Sequence, residues 1–248
     1  IMALDESELI AAVCQHVDHD PSPRGPGDDA AQVGELVLAT DTMVEGTHFL
    51  RQHPAHWLGW KLLAVNLSDI AAMGVQPTGF LLSAALPADV PATWWAAFSK
   101  GLGELARRED VLIAGGDTVV TQGMMTLTIT AWGVCDGDTL LCRSGARPGD
   151  LLMLCPGLGV GVSSEGLKRW ITHELAAQWS VEEPIVDEVI VCHLRPEPPL
   201  WAGPWALHHG ASAGMDCSDG LIQDVDRLAY ASAVGFDVDL SRLPPDPR

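Results

Sequence analysis

Basic residues are scarce in this chain, which limits the partners that it can bind. The 248 residues include 14 lysines and arginines against 33 aspartates and glutamates, for a formal net charge of −19. Basic residues adjoin only in pairs, as at Arg107 and Arg108. A nucleic-acid-binding surface requires clustered cations, so we expect no nucleic-acid partner. The acidity favours solubility, and a bound nucleotide would require Mg²⁺ to offset like-charge repulsion.

Long hydrophobic runs are absent as well. The longest, over residues 80–86, has the length of a strand and falls well short of the roughly 18 residues of a membrane-spanning helix. The first eight residues are acidic and lack the basic stretch of a secretory signal, so we expect a cytoplasmic protein. A hydrophobic content of 47% and a mean hydropathy of +0.16 indicate a globular chain.

Several common site motifs are missing. The six cysteines form no Cys-x-x-Cys word, and none of the nine histidines has a matching partner set. A disulfide framework or a zinc ribbon is therefore disfavoured, and buried free thiols are expected. No Gly-x-Ser-x-Gly word supports a serine hydrolase. The glycine-rich stretch 156–161 lacks the Lys-[Ser/Thr] that completes a Walker A loop.

Apolar periodicity predicts an α/β chain in two unequal parts. Helices are predicted over 5–19, 60–73, 92–108 and 166–177, and from Ser218 as N-cap to about residue 233. Strands are predicted over 36–40, 80–86, 111–114, 126–131 and 151–155. The proline-rich stretch 178–204 is predicted to be mostly connection. A seam rich in Gly, Asp and Pro at 136–150 predicts two domains, 1–137 and 138–248.

The chain is rich in aspartates that lie in short, turn-like words of Gly, Ser and Thr. They are Asp28, Asp29, Asp41, Asp69, Asp117, Asp216 and Asp219. Ordinary surface carboxylates instead have lysine or arginine neighbours at helical spacing. Carboxylates dispersed in sequence but alike in context predict one hard-cation site, of the kind that holds Mg²⁺ and nucleotide phosphates.

Two of these aspartates follow predicted strands. Asp41 comes after one buried strand, and Asp117 follows another through Gly115 and Gly116. Ligands of α/β sheets collect at strand ends, and glycines let the backbone approach a phosphate closely. Asp-Thr and Gly-Asp are also ordinary turn formers. A single such word would predict only a turn, and it is the presence of several in one chain that favours a ligand-binding site. Arg143, in a Gly- and Ser-rich loop, suits either a phosphate or a surface salt bridge.

The remaining carboxylates lie on predicted helices. Asn66 and Asp69 are three residues apart and share one face of a largely apolar helix, where a buried acid requires a cation or hydrogen-bond donors. A solvated helix edge explains Asp69 equally well. Asp216 and Asp219 flank Ser218 at a helix start, which fits capping of the helix or binding of a phosphate.

Together these words resemble the thiamine-monophosphate kinase family, of the superfamily that includes aminoimidazole-ribonucleotide synthetase. The matching words are Gly-Pro-Gly-Asp-Asp-Ala-Ala (25–31), Thr-Asp-Thr-Met-Val-Glu-Gly-Thr-His-Phe (40–49), the Asn-Leu-Ser-Asp helix (61–74), Gly-Gly-Asp-Thr (115–118), Arg-Ser-Gly-Ala-Arg-Pro-Gly-Asp (143–150) and Met-Asp-Cys-Ser-Asp-Gly-Leu (215–221). They run in the family's order over essentially the whole chain.

The resemblance implies ATP-dependent phosphorylation of thiamine monophosphate to thiamine diphosphate, by direct in-line transfer with several Mg²⁺ ions and no covalent nucleophile. It implies a two-domain aminoimidazole-ribonucleotide synthetase-like fold whose N-terminal domain forms a homodimer through its sheet. The implied metal ligands are Asp29, Thr40, Asp41, Asp69, Asp117, Asp216 and Asp219. The implied ATP-binding residues are Gly116, Asp117, Arg143 and Ser218, and His48 would contact the thiamine substrate.

Three departures from the family pattern keep other functions open. Ala39 replaces a hydroxyl residue, and Val162 replaces an aspartate of the glycine loop. The chain stops at Arg248, before a Gly-Glu-Asp-Tyr-Glu word of the acceptor site, so we expect a C-terminally truncated form. The alternatives are a related ATP-dependent synthetase with another acceptor, and a non-catalytic protein that binds nucleotide and Mg²⁺.

Overall fold

The N-terminal part of the chain is built on a five-stranded mixed sheet. The computed structural model describes residues 6–18, 24–135, 137, 139–155, 191–239 and 241. Helices in these ranges are α1 (Glu6–Cys14), α2 (Ala55–Ala72), α3 (Ala92–Arg108), α4 (Ala202–His208) and α5 (Leu221–Ser232). Strands are β1 (Ala31–Val33), β2 (Leu36–Val44), β3 (Pro77–Pro87), β4 (Leu112–Thr121) and β5 (Thr126–Val134). Of these helices, none has the length and apolar character needed to span a bilayer.

The strands lie in the order β1-β2-β5-β3-β4, and every neighbouring pair is antiparallel except β3 and β4. Two parallel neighbours require a long crossover connection, and α3 supplies it between β3 and β4. The predicted α/β class with mixed sheets is confirmed.

One face of the sheet carries the core. On β5, Leu127, Ile129 and Ala131 are fully buried and alternate with half-buried threonines. This period of two places the threonines on the opposite, open face of the sheet. Helix α2 is buried on most of its surface, between the sheet, α3 and α4. Any polar group on α2 therefore requires a partner within the protein.

Two strands run further than predicted, and this changes where two candidate ligands lie. β2 continues through Asp41 to Val44, and β4 continues through Asp117 to Thr121. The prediction that these aspartates close their strands is wrong. Both are followed by residues that favour extended backbone, such as Val119 and Val120, and each strand finds a full-length partner.

Of the other predicted helices and strands, some are confirmed, one is wrong and one lies outside the described residues. The helix predicted over 92–108 matches α3, and those over 5–19 and 60–73 are confirmed with different bounds. Residues 151–155 were wrongly predicted as a strand: within the described chain they pair with no strand. The predicted helix 166–177 and the glycine-rich stretch 156–161 lie outside the described residues. All six cysteines are free thiols, of which Cys135 and Cys142 are buried.

The predicted connection after residue 190 is partly helical and packs against the N-terminal helices. Residues 191–194 are helical, and α4 follows. Trp60 of α2 donates its indole N–H to the carbonyl of Pro196 at 2.8 Å. The guanidinium groups of Arg108 and Arg195 lie 4.5 and 4.1 Å from the centre of the Trp60 ring. The cation–π contact of Arg195 with Trp60 joins the two parts of the chain, whereas that of Arg108 lies within the N-terminal part.

A buried lysine lies at the same junction. Lys61 is 8% exposed, and its Nζ lies 3.1 Å from Nε2 of His193. Burial lowers the pKa of Lys61 to about 7, because an ammonium group loses its hydration there.

Glycines allow α2 and α3 to approach closely. A Cβ at Gly101 of α3 would lie 1.7 Å from the carbonyl oxygen of His56 in α2, whereas one at Gly103 would meet only the mobile tip of Arg107 at 3.3 Å. We predict that Gly101→Ala destabilises the protein by about 1–3 kcal/mol, because the helices must separate. Gly103→Ala is expected to be neutral or to stabilise by up to about 1 kcal/mol, through helix propensity. Urea unfolding of both variants tests this, and equal effects would contradict the close approach.

A second prediction concerns Lys61. The unfolded chain holds the Lys61 proton up to a pKa of about 10.5, whereas the folded protein releases it near 7. The unfolded state therefore binds more protons in this window, and stability rises with pH from about 7 to 10.5. His53, whose pKa burial lowers to about 4, is neutral throughout the window. The variant Lys61→Met should lack this rise and gain most over the native protein at or below pH 7. Parallel stability curves of the two proteins in urea, at pH 6 to 10, would contradict it.

Candidate functional site

A buried asparagine joins β2 to α2. Asn66 has no exposed surface, and its Oδ1 accepts from the backbone N–H of Asp41 at 2.9 Å. Its Nδ2 donates to the carbonyl of Leu62 at 2.9 Å, one turn back in α2. Both functional groups of the amide are therefore bonded, and they hold Asp41 beside the helix face that carries Asp69.

A second contact brings the loop after residue 139 to the loop around residue 28. The Arg143 guanidinium pairs with Asp29 through its Nε, at 3.0 Å from Oδ1, and through Nη2. The backbone N–H of Arg143 donates to both carboxylate oxygens of Asp28, at 3.2 and 3.1 Å. Asp28 thus holds the arginine backbone while Asp29 pairs with its side chain.

The segment 216–220 completes the arrangement. The backbone N–H of Asp216 donates to Asp29 Oδ2 at 3.2 Å. The Asp216 carboxylate accepts from the hydroxyl of Ser68 on α2 at 3.1 Å, and from that of Ser218 at 3.3 Å. Residues far apart in sequence therefore meet at one end of α2.

We call Asp29, Asp41, Asp69 and Asp216 the carboxylate cluster. Burial, with repulsion from Asp216, raises the pKa of Asp29 to about 7. The pKa of Asp69 is raised by burial and then by repulsion from the other three members, and burial also raises that of Asp216. Arg143 lowers all three of these pKa values. The cluster therefore gathers more negative charge than this arginine neutralises, which favours a bound cation.

The chemistry of the cluster fits Mg²⁺ better than a transition metal. Every candidate ligand is an oxygen, the type that hard cations prefer. Within the described ranges, no group of three or more His, Cys, Asp or Glu side chains is arranged so that it could hold one metal ion by itself. Mg²⁺ usually takes only one or two carboxylates and completes its shell with water and substrate phosphates. One or two of Asp29, Asp41, Asp69 and Asp216 would supply the protein ligands of such an ion.

Two further predicted residues, Thr40 and Asp117, lie on the sheet. Thr40 donates to the Ile129 carbonyl at 3.0 Å, and its hydroxyl lies 3.1 Å from that of Thr130, on the open face. Asp117 is exposed on β4 opposite Ser83, and accepts from the N–H of Thr118 at 2.9 Å. The roles of Thr40 and Asp117 stay predictions.

Gly116 adjoins Asp117 on β4 and has a φ of +155°. A Cβ there would lie 1.8 Å from the carbonyl oxygen of Leu82, so the close pairing of β3 and β4 requires glycine.

The last three predicted residues lie on loops. Ser218 bonds to Asp216. The prediction that Ser218 caps α5 is wrong, because that helix begins at Leu221 and its N-cap residue is Gly220. Asp219 forms an ion pair with Arg227 of α5. His48 is exposed, and its Nδ1 accepts from the N–H of Val44 at 3.0 Å. Their roles in binding ATP, metal and substrate stay predictions.

An ion pair that the sequence did not predict holds the loop of His48. Glu45 pairs with Arg51 through both carboxylate oxygens, at 2.6 and 2.9 Å. One of these oxygens also accepts from the N–H of Met125 at 3.1 Å. Charges of opposite sign six residues apart are common in any loop, so the pattern alone gave little signal.

Comparison with known proteins assigns the class. Residues 27–135 match the N-terminal domain of AIR synthase related proteins, and residues 147–247 match the C-terminal domain. Fold and site therefore define an AIR synthase related protein.

The relatives narrow this class. The chain is 37% identical to thiamine-monophosphate kinase of Salmonella typhimurium, over 98% of its own length and 74% of that protein. It is 35% identical to the Bacillus subtilis enzyme of that name, over 97% of this chain and 75% of that one. The chain belongs to the thiamine-monophosphate kinase family, and the resemblance seen in its motifs is confirmed.

Solved structures of thiamine-monophosphate kinases have the same fold as this chain. The structure of AaThiL complexed with AMPPCP and TMP superposes with a TM-score of 0.77 at 28% identity, over 94% of this chain and 73% of that one. Thiamine-monophosphate kinase from Stenotrophomonas maltophilia gives 0.69 at 32% identity, over 91% and 70%. This chain thus spans about three quarters of the length of these relatives.

Because the carboxylates of the cluster repel one another, we predict that removing one of their charges stabilises the metal-free protein. Asp69→Asn keeps the side-chain shape and removes one charge, so in EDTA it should stabilise the protein by at least about 1 kcal/mol, or roughly 2–4 °C in Tm. The same variant should gain less stability from added Mg²⁺ than the native protein, because a metal ligand is lost.

Differential scanning fluorimetry with and without Mg²⁺ measures both effects. Asp226→Asn, which changes an exposed aspartate of α5, is the matched control and should alter neither. A lower Tm of Asp69→Asn in EDTA, or an undiminished response to Mg²⁺, would count against a cation site at the cluster.

Proposed function

We propose that the chain transfers the γ-phosphoryl group of ATP to thiamine monophosphate, giving thiamine diphosphate and ADP. The observation that carries this proposal is the carboxylate cluster around Arg143, in a chain 33–38% identical to proteins named thiamine-monophosphate kinase. The structure of AaThiL complexed with AMPPCP and TMP supports this pair of ligands.

Both reactants are anions, so the task of the protein is to align them and to neutralise charge. Carboxylates of the cluster would hold Mg²⁺, which would supply positive charge to offset the negative charge of the reacting phosphates. We propose as its ligands the residues implied by the family: Asp29, Thr40, Asp41, Asp69, Asp117, Asp216 and Asp219. No covalent enzyme intermediate is required, because the acceptor phosphate itself attacks.

We assign ATP binding to Gly116, Asp117, Arg143 and Ser218, and contact with the thiamine substrate to His48. Of the five N–H donors of Arg143, its bonds to Asp29 and Gly27 use three. The remaining two can reach a phosphate while the arginine stays anchored, and a planar guanidinium suits such an oxyanion.

We also propose a homodimer formed through the open face and edge of the sheet. Apolar side chains of β4 are exposed there, including Leu112, Ile113 and Val120. An unpaired edge strand with exposed apolar residues is a ready surface for a second chain. We place the domain boundary at 137/138, between the two matched family regions, and the reaction in the cytoplasm, where ATP is available.

Product analysis tests the function directly. The chain is incubated with ATP, Mg²⁺ and thiamine monophosphate, and the products are separated by chromatography. We expect thiamine diphosphate and ADP in equal amounts from the native chain, and none above background from Asp41→Asn. The exposed-site variant Asp226→Asn should match the native protein.

The other outcomes identify the alternatives. ADP that forms only with a different acceptor would indicate a related ATP-dependent synthetase. Binding of ATP without turnover of any acceptor would indicate a non-catalytic nucleotide-binding protein. Either result would overturn the proposed reaction.

A further inference from the structure

Helix α5 carries a buried carboxylate that is none of the proposed ligands. Asp224 is 3% exposed, although it lies in the first turn of a helix whose neighbouring residues Gln223 and Asp226 are exposed. A buried carboxylate is costly unless hydrogen bonds compensate for the lost hydration. Its partners therefore indicate why it is there.

Those partners are backbone N–H groups of the preceding loop, the thiol of Cys217 in that loop and the side chain of Arg227. Asp224 Oδ2 accepts from the N–H of Asp219 at 3.2 Å and from that of Gly220 at 3.0 Å. Its other oxygen accepts from Arg227 at 3.2 Å. Gly220, the N-cap residue, has a φ of +129° and no side chain to cap the helix. Asp224 thus bonds N–H groups at the helix start that α5 itself leaves without a helical partner.

The segment 216–220 is consequently held at both ends. At one end, the Asp216 backbone bonds to Asp29 and its carboxylate to Ser68 of α2. At the other end, Asp224 holds the N–H groups of residues 219 and 220. Arg227 links the Asp224 carboxylate of α5 to the Asp219 carboxylate of the loop, because its Nη1 contacts both. The short loop between these anchors carries Asp216, Ser218 and Asp219.

We infer that Asp224 is a positioning residue for the nucleotide and metal site: through its bonds to the backbone of Asp219 and Gly220, it fixes the loop that carries Asp216, Ser218 and Asp219. The inference rests on the proposed function, since it assumes that this loop faces the Mg²⁺–nucleotide complex. Asp224 acts through the loop and touches neither substrate nor metal. Residues that orient metal ligands in this way typically contribute about 10–100-fold to metal affinity.

The test measures binding of the ATP analogue AMPPCP at increasing Mg²⁺ concentration, followed by isothermal titration calorimetry. Asp224→Ala removes the acceptor of both N–H groups. We expect it to raise the Mg²⁺ concentration for half-maximal binding by about tenfold or more. Asp226→Ala, an exposed carboxylate two residues away, should stay within about twofold of the native protein, since it holds no part of the loop.

The variant Asp224→Asn separates positioning from charge. Its amide oxygen can still accept from both N–H groups, so its Mg²⁺ requirement should stay close to native, within about threefold. A Mg²⁺ requirement in Asp224→Asn as high as in Asp224→Ala would overturn the inference, because charge and not the loop contact would then matter. If Asp224→Ala does not fold, a rise of more than about threefold in the Mg²⁺ requirement of Asp224→Asn overturns the inference.

A purely structural role gives a different pattern. If Asp224 serves only as a helix cap, Asp224→Ala will lower Tm while leaving the Mg²⁺ dependence of AMPPCP binding unchanged, and the inference fails. Thiamine monophosphate is absent from the assay. A native chain that binds AMPPCP with Mg²⁺ but makes no thiamine diphosphate would therefore disprove the proposed reaction without deciding the role of Asp224.

Discussion

Repulsion among clustered carboxylates is the constraint around which this structure is arranged. Asp29, Asp41, Asp69 and Asp216 come from four separate parts of the chain. Repulsion from Asp216 raises the pKa of Asp29, and repulsion from the other three members raises that of Asp69. Arg143 offsets part of this repulsion through its ion pair with Asp29. Such an arrangement costs stability in isolation and is typical of sites built for a ligand of opposite charge.

The fold offsets that cost with a rigid framework. Helix α2 packs into the core with its apolar residues, and two of its polar side chains, Asn66 and Ser68, bond to Asp41 and Asp216. The same helix holds the second part of the chain through the contacts of Trp60 with Pro196 and Arg195. One helix therefore positions carboxylates from both parts of the chain, so that alignment of the site depends on core packing.

The sequence allowed prediction of much of this arrangement. Strong periodicity predicted α3 with its observed bounds. The aspartate words predicted one common site; four of those carboxylates meet around α2, whereas Asp117 lies on the edge strand β4. The extent of β2 and β4 was missed, because pairing with neighbouring strands overrides local turn propensity at Asp41 and Asp117. Asp224 was missed because an acid in the first turn of a helix resembles an ordinary surface residue until its burial is known.

Anomalous diffraction from crystals grown with Mn²⁺, AMPPCP and thiamine monophosphate would test the central claim most directly. The account predicts metal peaks within about 2.3 Å of carboxylate oxygens of the cluster, bridging these aspartates to the nucleotide phosphates. A nucleotide bound elsewhere, or metal peaks that contact none of Asp29, Asp41, Asp69 and Asp216, would contradict it.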